Sequence, residues 1–216
     1  MKRLCFAILI LLLSSIVYGS EAQTEAKVSS TRFGVLADFG AGGSFTTSFE
    51  YKGSKFKDES DYALTKGVSF YALWPFSDLM KLGVETRFLL WNSEDADLAD
   101  MNPEKTVDLS PVIRFENRFD NRFMGFVKFA PGFSLYIPSD DYNEEKFIIG
   151  DGFGYNIALT LGFELSLSNR VSLISEAGYM SHTVYGKYKG RGDYSGINIS
   201  YKLDGGQYFF NAGLTF

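Results

Sequence analysis

Residues 152–168 read GFGYNIALTLGFELSLS. Phe153, Tyr155, Ile157, Leu159, Leu161, Phe163, Leu165 and Leu167 share one parity, and Gly152, Gly154, Asn156, Ala158, Thr160, Gly162, Glu164 and Ser166 the other. Side chains alternate between the two faces of a β-strand, so one face is large and apolar and the other small or polar. A soluble sandwich also alternates, with its apolar side turned inward. Its solvent face, however, carries long charged side chains, and this polar face holds a single Glu. Small and polar inside, large and apolar outside is the pattern of a transmembrane barrel strand. The run exceeds the ~9–11 residues that a tilted strand needs to cross a bilayer.

The same rule organises seven further segments: 32–44, 64–74, 80–91, 107–116, 122–136, 171–185 and 206–216. In 32–44, Phe33, Val35, Ala37 and Phe39 oppose Gly34, Asp38 and Gly40; in 80–91, Leu82, Val84, Phe88 and Leu90 oppose Gly83, Glu85 and Arg87. Tight turns are expected at Pro75–Asp78, Arg118–Asn121 and Ser168–Arg170, and long polar loops at 45–61, 92–106, 137–151 and 186–205. Short turns at one rim and long loops at the other fit an up-and-down barrel with its short side periplasmic. Residues 194–203 alternate as well. They are read as an outward extension of the last strand, with a glycine bulge at Asp204-Gly205-Gly206. The fold class expected is all-β: an eight-stranded antiparallel up-and-down transmembrane barrel over residues 31–216.

The bulk properties agree. Aromatics make up 17% of the chain, with 22 glycines and near-neutral hydropathy. Met1-Lys2-Arg3, the apolar run Leu4–Leu13 and the small residues near Gly19 have the layout of a cleaved secretory signal over 1–19. A short extension, 20–30, follows. Cleavage would remove Lys2, Arg3 and the single cysteine, Cys5, and leave an acidic chain without a thiol. That charge argues against a nucleic-acid partner.

These features resemble the small eight-stranded outer-membrane barrels, similar to the barrel domain of outer membrane protein A and its smaller relatives. The resemblance implies a Gram-negative outer-membrane location in the cell envelope, a monomer, and contact with outer-membrane lipid and lipopolysaccharide. It also implies that Tyr208, Phe210, Leu214 and Phe216 form a C-terminal signal read by the barrel-assembly machinery. Cofactors and metals are not implied.

An eight-stranded barrel is narrow enough for side chains to fill it. Inward parity collects Asp38, Glu85, Arg87, Asp108, Arg114, Glu116, Lys128, Glu164 and Glu176. Opposite charges there should pair, because an unpaired buried ion costs several kcal/mol. The network expected comprises Asp38, Glu85, Arg87, Arg114, Lys128, Glu164 and Glu176, with Arg87 and Lys128 held among Glu85, Asp38 and Glu176 at one depth. The function expected is structural or interaction-type, without catalysis. The first alternative is a narrow, porin-like channel for ions or small solutes, which an excess of acids would make cation-selective.

The second alternative is a lipid A-modifying enzyme using His182, the only histidine. Some eight-stranded barrels are lipid A deacylases with a Ser-His-Glu arrangement, but Ser181 lies on the opposite parity and no His-x-Ser signature is present. Glu176 is six residues away, ~20 Å along a strand. Gly152-Phe153-Gly154 opens a strand rather than a helix, so it is no phosphate loop. Glu94, Asp95, Asp97 and Asp100 lack calcium-hand spacing. Lys187, Lys189 and Arg191 form a basic patch that could meet lipid phosphates.

Overall fold

The computed structural model describes residues 31–93, 103–139 and 147–216. The expected signal 1–19 and extension 20–30 lie outside these, as do Glu94, Asp95, Asp97 and Asp100. Nine strands form: β1 (Arg32–Tyr51), β2 (Ser54–Pro75), β3 (Met80–Ser93), β4 (Glu104–Arg118), β5 (Phe123–Ile137), β6 (Phe147–Ile149), β7 (Gly152–Ser166), β8 (Ser172–Gly190) and β9 (Asn198–Thr215). Each long strand pairs antiparallel with its neighbours, and β9 pairs with both β8 and β1. The sheet therefore closes on itself as an eight-stranded barrel. Closure removes the unpaired edges that an open sheet would present. The short β6 stands outside the ring, paired to the outer end of β8 through Ile148↔Lys189.

One rim is tight. Three of its turns share a device, a side-chain oxygen accepting backbone N–H groups two or three residues on. Ser77 Oγ accepts from Met80 N at 3.1 Å. Asp120 Oδ1 accepts from Arg122 and Phe123 N at 2.6 and 2.7 Å. Ser168 Oγ accepts from Arg170 and Val171 N at 3.3 and 3.1 Å. The backbone hydrogen bonds hold the Asp120 carboxyl below the usual carboxylate range. At the same rim Phe33 and Phe216 exchange backbone hydrogen bonds of 3.1 and 2.8 Å, which pin the chain end to the first strand.

The opposite rim departs from expectation. Residues 45–61 are a β-hairpin rather than a loop: β1 and β2 run on to Tyr51↔Ser54, joined by Lys52-Gly53 at φ 49° and 84°. Positive φ at both central residues is the geometry that continues strand twist through a two-residue turn. Residues 186–205 are likewise mostly strand, leaving a connection of 191–197 around a 3-10 turn at Gly192–Tyr194. Residues 198–203 continue the last strand, as expected, but no bulge occurs at Asp204-Gly205-Gly206. The β8–β9 register runs unbroken through these residues. The extra residue is on β1, between Ala41 and Ser44, opposite Tyr208 and Gly206. It inverts the parity of β1, turning Phe45 and Phe49 inward, whereas Phe33 and Phe39 point out.

The two faces differ as the strand pattern requires. Outward lie Phe33, Phe70, Trp74, Phe88, Leu109, Phe133, Ile157, Leu159, Phe163, Tyr208 and Phe210, all exposed. Inward, several large rings lie over glycines of neighbouring strands. A Cβ on Gly162 would stand 2.3 Å from the Phe126 ring, and one on Gly186 would stand 2.2 Å from Tyr201. The small interior residues of the alternating pattern are thus slots for aromatic rings as well as fillers of a narrow bore.

Candidate functional site

The inner wall carries the chemistry. Asp38, Glu85, Arg87, Arg114, Lys128, Glu164 and Glu176 are all buried inside the barrel, each at 4% exposure or less. They lie in layers along the bore, with Asp38, Glu85, Arg87, Lys128 and Glu176, expected at one depth, together in the second. Three layers succeed one another from the turn rim.

The first layer holds Arg114 and Glu164, with Arg114 Nη2 donating to Glu164 Oε2 at 2.7 Å. Arg32 Nη1 donates to Glu164 Oε1 at 2.7 Å, and Thr215 Oγ1 donates to the same oxygen at 3.0 Å. Glu116 lies 3.0 Å from Arg114 Nε, an ion pair without hydrogen-bond alignment, and 3.5 Å from Lys81. The Arg114 guanidinium lies over the Phe126 ring at 3.7 Å. The Phe126 ring in turn lies against Gly162. Arg32 and Lys81 were missed in the sequence, although both share the inward parity of their strands. They sit at strand ends, where alternation is weakest.

The second layer holds Lys128, whose ammonium donates to Glu176 Oε1 at 2.7 Å and Glu85 Oε1 at 3.1 Å. Arg87 donates to Glu85 Oε1 through Nε at 3.2 Å and Nη2 at 3.1 Å. Its guanidinium lies 4.7 Å from the Phe209 ring centre. Asn211 Nδ2 donates to Glu176 Oε1 at 2.9 Å. Asp38 shares this layer, in one register row with Asn211 and Glu176. Its hydrogen bond comes from Ser69 Oγ at 3.1 Å, rather than from Arg87 or Lys128. Among the described residues, Asp38 Oδ2, Glu85 Oε2, Glu176 Oε2 and Asn211 Oδ1 have no hydrogen-bond partner.

The third layer holds His182, 1% exposed, with Nε2 2.9 Å from Asp108 Oδ2. Ser134 Oγ donates to Asp108 Oδ1 at 2.6 Å, so this serine addresses the carboxylate and not the imidazole. Asn156 Nδ2 donates to Ser134 at 3.0 Å, and Ser110 to Asn156 at 3.0 Å. The Trp91 indole meets His182 edge-on at 5.5 Å and Phe45 at 4.8 Å. Beyond it Tyr136, Tyr201 and Tyr188 stack edgewise toward the mouth. The loop expected at 186–205 and the bulge expected at Asp204–Gly206 hid the inward turn of Tyr188 and Tyr201, and the β1 bulge that brings Phe45 and Phe49 to this cluster was not legible either.

The remaining candidates lie on the outer surface. Tyr208, Phe210, Leu214 and Phe216 face outward on and just beyond β9. Lys187, Lys189 and Arg191 are exposed at the outer end of β8 and just after it. Among the described residues no group of three or more His, Cys, Asp or Glu could hold a metal ion.

No protein-family model matches this chain, and no curated protein matches it. Solved structures do. The outer membrane protein OprG from Pseudomonas aeruginosa superposes with a TM-score of 0.66 at 11% identity, covering 88% of this chain and 95% of that one. The outer membrane protein AlkL, solved in lipid bilayers, gives 0.51 at 13% identity, covering 91% and 95%. At such identities the likeness is one of fold. Closed eight-stranded topology, an apolar exterior and a polar, filled interior give this chain the fold of the small outer-membrane β-barrels.

Proposed function

We propose that the protein is a resident of the bacterial outer membrane with a structural or interaction role, monomeric and without catalysis, whose bore is closed by its own side chains. The observation that supports this reading is the bridge of Lys128 between Glu176 and Glu85, at 2.7 and 3.1 Å, in the middle of the barrel. A layer of ion pairs lies on its turn-rim side, the His182–Asp108 hydrogen bond lies on the other, and an aromatic stack continues toward the loop-side mouth. Paired in this way, the buried charges stabilise one another rather than serving a water-filled path. His182 serves the interior in this reading, fixed by Asp108.

Planar-bilayer recording of the purified protein tests it. The expected trace is silent at the leak level, and steady unitary conductance would overturn the closed barrel. A narrow cation channel is the second reading, favoured by the unpartnered acceptors of Asp38, Glu85, Glu176 and Asn211 around Lys128. In that case current should appear, favour cations, and rise when Lys128 is neutralised.

A further inference from the structure

On the turn-rim side of Lys66 and Lys105 the strands carry almost no outward charge; Glu50, Lys55, Lys57, Glu59, Lys187 and Lys189 stand farther out, at the loop-side ends of the strands. Where Lys202 stands on the outward wall, Asp204 lies 2.5 Å away and neutralises it. Lys66 and Lys105 are different. Strand register places five outward residues in one row across β1 to β5: Phe39, Lys66, Leu90, Lys105 and Ile137. The next row toward the turn rim is Ala37, Val68, Phe88, Val107 and Leu135, and the row after it includes Phe70, Leu109 and Phe133. Neither row contains an acid. Toward the loops, the neighbouring outward residues are Ala41, Leu64 and Asn92. Both lysines are exposed, and only Leu90 separates them. Two strand spacings set them about 10 Å apart.

Their height is informative. From the turn-rim ends of β2 and β4, at Pro75 and Arg118, the chain has already run about nine and thirteen residues when it reaches Lys66 and Lys105. That is roughly the ~9–11 residues that span a bilayer. Both ammonium groups therefore stand at the loop-side edge of the apolar belt. A lysine there extends its stem along apolar surface and lifts its charge toward the interface. What it meets at the interface is anionic headgroup.

We propose that Lys66 and Lys105 form a two-pronged site for the phosphates of a lipid A-type glycolipid of the outer leaflet, with its acyl chains lying over Val68, Phe88, Val107 and Leu109. This rests on the outer-membrane reading above. Two cations on one apolar face suit a lipid that carries two phosphates on one headgroup better than they suit a phospholipid with one. The order along the barrel, charges toward the loops and apolar rows toward the turns, matches a lipid of the outer leaflet.

The test titrates purified barrel in neutral detergent with bisphosphorylated lipid A, dephosphorylated lipid A and a monophosphate phospholipid, with bound lipid read by native mass spectrometry. Wild type should prefer the bisphosphorylated lipid. Lys66→Gln and Lys105→Gln should each weaken that binding about fivefold, and the pair more than tenfold. Lys66→Arg with Lys105→Arg should retain it, and Lys202→Gln, whose charge Asp204 already neutralises, should leave it unchanged. Heat-modifiable gel migration verifies that each variant is folded, and the comparison of phosphorylated with dephosphorylated lipid needs no variant at all. Equal binding of dephosphorylated lipid A by wild type, or unchanged binding by the double glutamine variant, would overturn the site. Membrane fractionation reads the location separately. A wild-type protein absent from the outer-membrane fraction overturns the underlying reading, whereas an outer-membrane protein blind to phosphate overturns only the lysine pair.

Discussion

Lys128 and Glu176 meet at 2.7 Å across the intervening β7, from β5 and β8, with both side chains buried. Removing the cation would leave Glu176 with the Asn211 amide and no counter-charge, and Glu85 with Arg87 alone. Breaking a buried pair from one side costs about 3–5 kcal/mol, most of it the desolvation of the partner left behind. Lys128→Met should therefore lower unfolding stability in lipid vesicles by that order. Adding Glu176→Gln should recover part of the loss, because it removes the stranded charge. Equal stability of wild type and Lys128→Met in urea titrations would show that the pair is solvated.

A packing prediction concerns Gly162. A Cβ there would stand 2.3 Å from the Phe126 ring, which covers the Arg114 guanidinium. Gly162→Ala should push the ring off the cation and cost about 1–3 kcal/mol through overpacking. The companion Gly162→Ala/Phe126→Leu should be milder than the single variant, since the shorter side chain vacates the slot. Thermal unfolding followed by gel migration distinguishes the two.

The lipid-facing wall can be tested at Leu159, the middle residue of β7, which is 43% exposed. An arginine at the bilayer midplane of a barrel costs about 2–4 kcal/mol, falling to about 0–1 near the interfaces. Leu159→Arg should show the large loss, and Leu167→Arg, just beyond the turn-rim end of β7, the small one. Unfolding by guanidinium in vesicles gives both numbers. A flat profile would mean that this surface does not face hydrocarbon.

The chain end separates assembly from stability. Phe216 exchanges backbone hydrogen bonds with Phe33, while its side chain faces outward. Phe216→Ser keeps the backbone pairing, so refolding in vitro should proceed nearly as in wild type. In cells the same variant should accumulate as unassembled precursor if Phe216 is the assembly address. Normal amounts of heat-modifiable barrel in the outer-membrane fraction would remove that role.

Much of this architecture was legible residue by residue. Alternation in 152–168 put Leu159 outside and Glu164 inside without any knowledge of its neighbours, because the two faces of a strand follow from its period alone. The same reasoning put Arg87, Lys128 and Glu176 in the bore. The hairpin at 45–61 escaped it for a physical reason. Past the membrane a strand no longer needs an apolar outer face, so Thr46, Ser48 and Glu50 read as loop. The inserted residue before Ser44 then reverses parity, and Phe45 and Phe49, which continue the outward series by number, turn inward.

The amino-acid sequence by itself determined the class of fold, the parity of most strands and most of the charges that enter the interior, because these depend on local periodicity. Tertiary structure alone decided which charges meet. Register between strands distant in sequence and closure of β9 onto β1 put Lys128 beside Glu176, gave Glu164 to Arg114 and Arg32, and left Asp38 to Ser69. The register of β2, β3 and β4 also aligned Lys66 with Lys105 across Leu90. Pairing of that kind is a property of the whole ring, and no single strand encodes it.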